Sequence, residues 1–200
     1  MLNTEINKCD SSSELKIAIT KCFERQASFW KSQFSSNPRF PYVATDDIFF
    51  IKNTIDEEGY AEWKPLSQTM NIETEVIEKI LGVKLHSQLK DYYSSYGFMQ
   101  LIGKLSDEII IDFIKIPFGV SSNYIAEKHI NTNVMKKYGI DYEKYDLFEI
   151  GYATVEGNDG YLTCVDNNTG NVLLIHLVDQ IVCELNLTLS DLFNSFVEVY

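Results

Sequence analysis

Three histidines, His86, His129 and His176, are the only side chains whose ordinary pKa suits acid and base work near neutrality. His176 lies in the apolar run Asn171 to Leu177, with Cys164 on the stretch before it. A thiol within reach of an imidazole is a nucleophile with its base, the pattern of a small hydrolase. No oxyanion-forming turn accompanies the two, so a hydrogen-bonded sheet histidine beside a core thiol competes with that reading. His86 stands just before a helix start, where it caps or packs. Asp166-Asn167-Asn168-Thr169-Gly170 offers the alternating oxygens a hard cation needs, yet glycine falls fifth, and Leu177 stands twelfth where a bidentate Glu belongs. That segment and Glu156-Gly157-Asn158-Asp159-Gly160 therefore read as turns. Cys9, Cys22, Cys164 and Cys183 are scattered, without a Cys-x-x-Cys pair, so neither a metal nor a cofactor is expected. Phosphate loops, dinucleotide fingerprints, nucleophile elbows and zinc-protease motifs are missing from the chain.

The carboxylates are the remaining chemistry, and they are unevenly spread. From Gly139 to Tyr200 eleven of them face one basic residue, Lys144, giving −10 of the formal −12. Such a field attracts basic partners and repels nucleic acid. The candidate contacts of an acidic face are Asp141, Glu143, Asp146, Glu149, Glu156, Asp159, Asp179 and Glu184. Tyr92, Tyr93 and Tyr96 on one short helix span more than one side of it, so Tyr92 and Tyr93, with Trp63, are candidate aromatic anchors. The competing reading of the charge is a solvated surface that only keeps the chain soluble.

The elements that must carry these residues are legible in outline. Ser11 with Glu14 forms a capping-box pattern ahead of an amphipathic helix over Ser13 to Phe34. Asp47 to Ile51 has the aromatic and β-branched content of a short strand. Asn71 is placed to cap a helix bearing Ile72, Val76, Ile77, Ile80 and Leu81 and ended by Gly82. A third helix, Ser87 to Tyr96, ends the same way at Gly97. Phe98 to Leu105 and Glu108 to Ile116 read as a hairpin turned at Ser106-Asp107. Ser121 and Ser122 open a fourth helix carried by Ile125, His129, Ile130, Val134 and Tyr138 up to Gly139. Strands are expected at Leu147 to Thr154, Tyr161 to Val165, Asn171 to Leu177 and Ile181 to Leu185, before a helix capped by Thr188 and Asp191. Hairpins flanked by helices predict an α+β fold with a largely antiparallel sheet. At 200 residues and without a linker-like stretch, one domain spans residues 1–200, with the N-terminal helix (1–35) packed on it. No apolar run approaches membrane-spanning length and the first residues lack a signal pattern, so a cytoplasmic protein is expected, at most peripheral to a membrane through another protein.

The segment LGVKLHSQLKDYYSSYG, Leu81 to Gly97, preceded by Trp63-x-Pro65 and followed by YLTCVDNNTGNVLLIHL and LSDLFNSF, resembles the SecY-interacting Syd branch of the SUKH superfamily of bacterial binding proteins. The order of elements is similar from about Phe29 to Phe196, while Leu177 to Asn186 lacks the basic segment of that branch and Ile130 to Tyr152 is longer. The resemblance implies a SUKH-like fold and a protein that binds without catalysis. Its members include immunity proteins that neutralise toxins, and Syd, which contacts basic cytosolic loops of the SecY translocon. An acidic surface suits either task. The expectation is therefore an immunity-type inhibitor first, a SecY-binding protein second and a Cys164/His176 hydrolase third.

Overall fold

The computed structural model describes residues 13–68 and 73–198. Helix α1 (Glu14–Phe34) is followed by strand β1 (Arg39–Pro41), a 3-10 helix (Ala44–Phe49), β2 (Tyr60–Glu62), β3 (Leu66–Ser67), α2 (Thr74–Leu81), α3 (Ser87–Ser95) and β4 (Tyr96–Gly97). Next come β5 (Leu101–Lys104), β6 (Ile109–Phe113), α4 (Ser122–Glu127), α5 (Thr132–Lys137), β7 (Leu147–Val155), β8 (Asn158–Asp166), β9 (Asn171–His176), β10 (Ile181–Thr188), α6 (Leu189–Ser195) and β11 (Val197–Glu198). The fold is α+β. One seven-stranded sheet, ordered β10-β9-β8-β7-β6-β5-β11, is antiparallel throughout, and two two-stranded pairs, β1-β2 and β3-β4, stand beside it.

Strand alternation assigns the side chains to two faces. On the first, Phe148, Ala153, Tyr161, Val165, Val172 and Leu174 join Ile111 and Phe113 in the main core, under α1, α3 and α6. Phe193 of α6 stacks on Phe113 at 4.9 Å and on Tyr92 of α3 at 6.2 Å. On the second face Leu147, Cys164, Leu173 and Ile175 pack with Ile130, Met135 and Ile140 in a smaller core, which the segment from α5 to Tyr145 covers.

Local signals set several boundaries. Ser13 caps α1 through Lys16 N, Gly82 ends α2 in the left-handed region at φ 74°, and Thr188 with Asp191 forms a reciprocal capping box on α6. Ser11, Asn71 and Ile72 lie outside the described residues. Three expectations are corrected. The predicted strand at Asp47 to Ile51 is instead largely the end of the 3-10 helix, because Phe49 and Phe50 turn inward together and Phe50 meets Trp63 in an isolated bridge. The single helix expected from Ser121 to Tyr138 is two, because Lys128 to Ile130 leave the helix to pair with β7: Ile130 N donates to Leu147 O and Glu149 N to Lys128 O, both at 2.8 Å. Asn131 then caps the second piece. Helix α3 does not end on a left-handed Gly97; Tyr96 is extended and enters β4.

The water-facing stripe of helix α3 is Ser87, Lys90, Asp91 and Ser94, so Tyr92 and Tyr93 both fall on its broad covered flank and are buried although adjacent. Neither hydroxyl has a hydrogen-bond partner among the described residues, and burial pushes both far above the ordinary tyrosine pKa. A buried hydroxyl without a partner costs desolvation and returns nothing. Tyr93→Phe is thus expected to leave stability unchanged or raise it by up to about 1 kcal/mol. Tyr93→Ala should lower it by about 3–5 kcal/mol by opening a cavity. Urea denaturation of the two variants checks both signs, and a Tyr93→Phe loss comparable to that of Tyr93→Ala would refute the first.

Candidate functional site: an open acidic half of the sheet

The cover on the second face stops at β7. Across β5, β6 and β7 the register partners Ile102, Asp112 and Tyr152 form one row of side chains, and Lys104, Ile110 and Thr154 the next. Tyr152 is 54% exposed at the middle of this area. Beside it a cavity of about 310 Å³ is lined by Ile110, Asp112, Tyr152, Ala153, Thr154, Asp159 and Gly160. On the β5 side the area ends at a narrow cleft where Ile102 and Gln100 meet Trp30, Pro38 and Arg39.

Apart from Lys104, its charged groups are acidic. Asp112 is half-buried, and the loss of water raises its pKa, opposed by a hydrogen bond from Gln100. The negative charge of Glu149, with partial burial, raises that of the Tyr152 hydroxyl. Thr154 Oγ1 donates to Asp159 Oδ1. Three turns open at the same end of the sheet and add a rim: Asp107 and Glu108 between β5 and β6, Glu156 between β7 and β8, and Asp179 between β9 and β10. Glu156 N donates to Glu108 O at 2.8 Å, which ties the first two turns together. Lys104 stands 4.0 Å from Asp107, and His176 Nδ1 lies 2.8 Å from Asp179 Oδ2.

The eight carboxylates expected to form one face divide into separate groups. Glu156, Asp159 and Asp179 belong to this rim, and Glu149 lies on the same face farther along β7. Asp141, Glu143 and Asp146 lie at the other end of the strands, with Glu184 reaching toward them from β10. The nine residues of β7 put about 25 Å between the two ends. The second group is also committed to internal contacts. Glu184 Oε1 accepts from Lys144 Nζ at 2.7 Å and from the Tyr145 hydroxyl at 2.5 Å, and these bonds hold its pKa below the ordinary carboxylate value. Asp141 Oδ1 accepts from Glu143 N and Lys144 N in its own turn. Asp146 accepts from His129 Nε2 at 2.6 Å and from Asn167 Nδ2 at 2.7 Å, and the histidine bond first, then that of the amide, lowers its pKa against the cost of burial. Asn167 in turn accepts from His86 N and donates to Lys84 O.

The anchors expected from sequence are corrected. Trp63, Tyr92 and Tyr93 are only 1%, 1% and 2% exposed and serve the core, while the aromatic ring exposed on the open half of the sheet is that of Tyr152. Asp107 and Glu108 escaped the reading by chain position, although the hairpin assigned to Ser106-Asp107 was the signal that puts them beside the next turn of the sheet. The Cys164/His176 pair is overturned as well. Cys164 faces the second core with Leu173, while His176 shares the opposite face with Tyr161 and Leu174. Burial also drives the Cys164 thiol far above its ordinary pKa, so the thiolate is disfavoured. Asp166 spends its oxygens on Asp146 N, Asn168 N and Thr169 Oγ1, and among the described residues no group of three or more His, Cys, Asp or Glu is placed to hold a metal ion. Nor is any helix among them long and apolar enough to cross a membrane.

No protein-family model matches the chain, and no curated protein matches it.

Asp112 and Asp146 make opposite predictions from opposite shifts. A raised carboxyl binds its proton more readily when folded, so ionising Asp112 disfavours the native state as the pH rises through its folded pKa. Asp112→Asn should therefore be the more stable protein at neutral pH, with the advantage closing below the ordinary aspartate pKa. The lowered carboxyl of Asp146 contributes stability above that ordinary value and loses it as the pH falls through its folded pKa. Asp146→Asn should cost about 2 kcal/mol at neutral pH and converge with the parent protein in strong acid. Urea midpoints across the acidic range test both signs; parallel curves for parent and variants would contradict them.

Proposed function

We propose that the protein is a non-enzymatic binder, acting in the cytosol, that holds a basic protein partner on the open half of its sheet. The reading commits to an immunity-type inhibitor that neutralises a basic toxin domain. The observation that carries it is Asp112, a carboxylate kept partly desolvated in an uncovered sheet beside an exposed Tyr152 and a rim of further carboxylates. An acid retained at a cost in stability on an uncovered surface fits a site selected for contact, not for folding. The formal charge of −12 supports fast capture of a basic domain, and covering the phosphate-binding surface of a nuclease needs this sign of charge. The resemblance of Leu81 to Gly97 to the Syd branch favours a second reading, docking to the basic cytosolic loops of SecY.

Coexpression with a toxin domain encoded beside the gene, and titration with peptides of the SecY cytosolic loops, separate the two. Rescue of growth supports immunity, peptide binding without rescue supports SecY, and neither result rejects both. For the partner that binds, the association rate should fall at least roughly tenfold between low and high salt. Tyr152→Ala should weaken binding by about 2 kcal/mol, roughly thirtyfold. A flat salt profile together with unchanged affinity in Tyr152→Ala would remove the open face from the proposal.

A further inference from the structure

Strand β10 is the free margin of the large sheet. Its ladder runs only to β9, in register from Ile181 opposite His176 to Glu184 opposite Leu173, and the other side of the strand has no neighbour among the described residues. Natural proteins blunt such margins with lysine, proline or a bulge. Between Val178 and Thr188 there is no lysine, arginine or proline, and the bulge comes only after Glu184, so Ile181 to Glu184 remain straight. Val178 is 80% exposed, Ile181 is 45% exposed, and Cys183 is exposed as well. The strand thus presents a row of unpaired backbone groups together with uncovered apolar side chains.

We propose that β10 takes an extended segment of a basic protein as an eighth strand. Backbone pairing supplies the attachment and alternate side chains the selectivity. Toward the first face the added strand meets Ile181 and Cys183, which call for apolar residues; toward the second, Glu184 is already paired with Lys144, and the carboxylates of Asp141 and Glu143 in the turn beyond it call for lysine or arginine. The charge of the nearby Lys144 is matched by Glu184, so Asp141 and Glu143 leave the local field negative. A second copy of this chain fits poorly: each copy carries −12, and antiparallel pairing centred on Cys183 brings the two Glu184 side chains diagonally together. The inference rests on the reading of the protein as a binder of basic partners and adds a second contact, on a margin three strands away from β7.

The test uses a capped alternating Val-Lys peptide and its Val-Glu counterpart, with backbone amide exchange as the readout. The Val-Lys peptide at millimolar concentration should slow exchange of the alternate, outward-pointing amides within 181–184 at least roughly tenfold, and the Val-Glu peptide should not. Ile181→Lys combined with Cys183→Lys changes only exposed side chains, keeps the fold by circular dichroism, and should abolish that protection. Tyr152→Ala should leave it intact, which separates failure at this margin from failure of the open face. Absence of protection, protection by both peptides, or protection that arises without peptide as the protein is concentrated would each overturn the proposal, the last in favour of self-pairing.

Discussion

Strand β7 is the constraint on which both cores and the open face depend. One side of it pairs with β8 along nearly its whole length; the other is shared between β6 and the short extended stretch Lys128 to Ile130. The shared side requires a close approach, because a Cβ on Gly151 would stand 2.6 Å from Asp112 O, so any larger residue would push β6 away. By seizing Lys128 to Ile130, β7 also decides where the following chain travels. Helix α5 and the loop to Tyr145 are sent over β8 and β9, and nothing in that path is left to cover β5 and β6. The incomplete cover is thus a consequence of pairing, and Asp112 is the residue that bears it.

What was legible in the sequence was what depends on near neighbours. The cap at Thr188, the left-handed Gly82 and the hairpins of β5-β6 and β8-β9 follow from side chains within a few residues of one another, whereas α1 is capped by Ser13 and not by the Ser11 pattern. What was illegible was decided by distant partners. The apolar repeat through Ile125, His129 and Ile130 continues at helical spacing, but a hydrogen bond to Leu147 outweighs it. The composition around Phe49 favours a strand, while burial against Trp63 selects a tighter helix. Adjacent tyrosines stand only about 100° apart on a helix, and the covered flank of α3 is wide enough to take both. The facing of Cys164 and His176 was a matter of parity that no local pattern fixes.

The candidate site carries a more general lesson about charge. A run of carboxylates along the chain is not a patch when that chain forms antiparallel hairpins, because successive turns are delivered to opposite ends of the sheet. Asp141 to Asp146 and Asp166 go to one end, while Glu156 and Asp179 go to the other. What does gather is the set of alternate turns, which is why Asp107 and Glu108, from a charge-balanced part of the sequence, join Glu156.

The side chain of Asn167 accepts from His86 N, donates to Lys84 O and donates to Asp146, residues separated from it by 81, 83 and 21 positions. One amide therefore links the entry to α3, the β8-β9 turn and the start of β7. That makes the corner a latch: Glu78 of α2 already holds the entry to α3 through Leu85 N and Lys90, but the tie of that entry to the sheet waits on the β8-β9 hairpin.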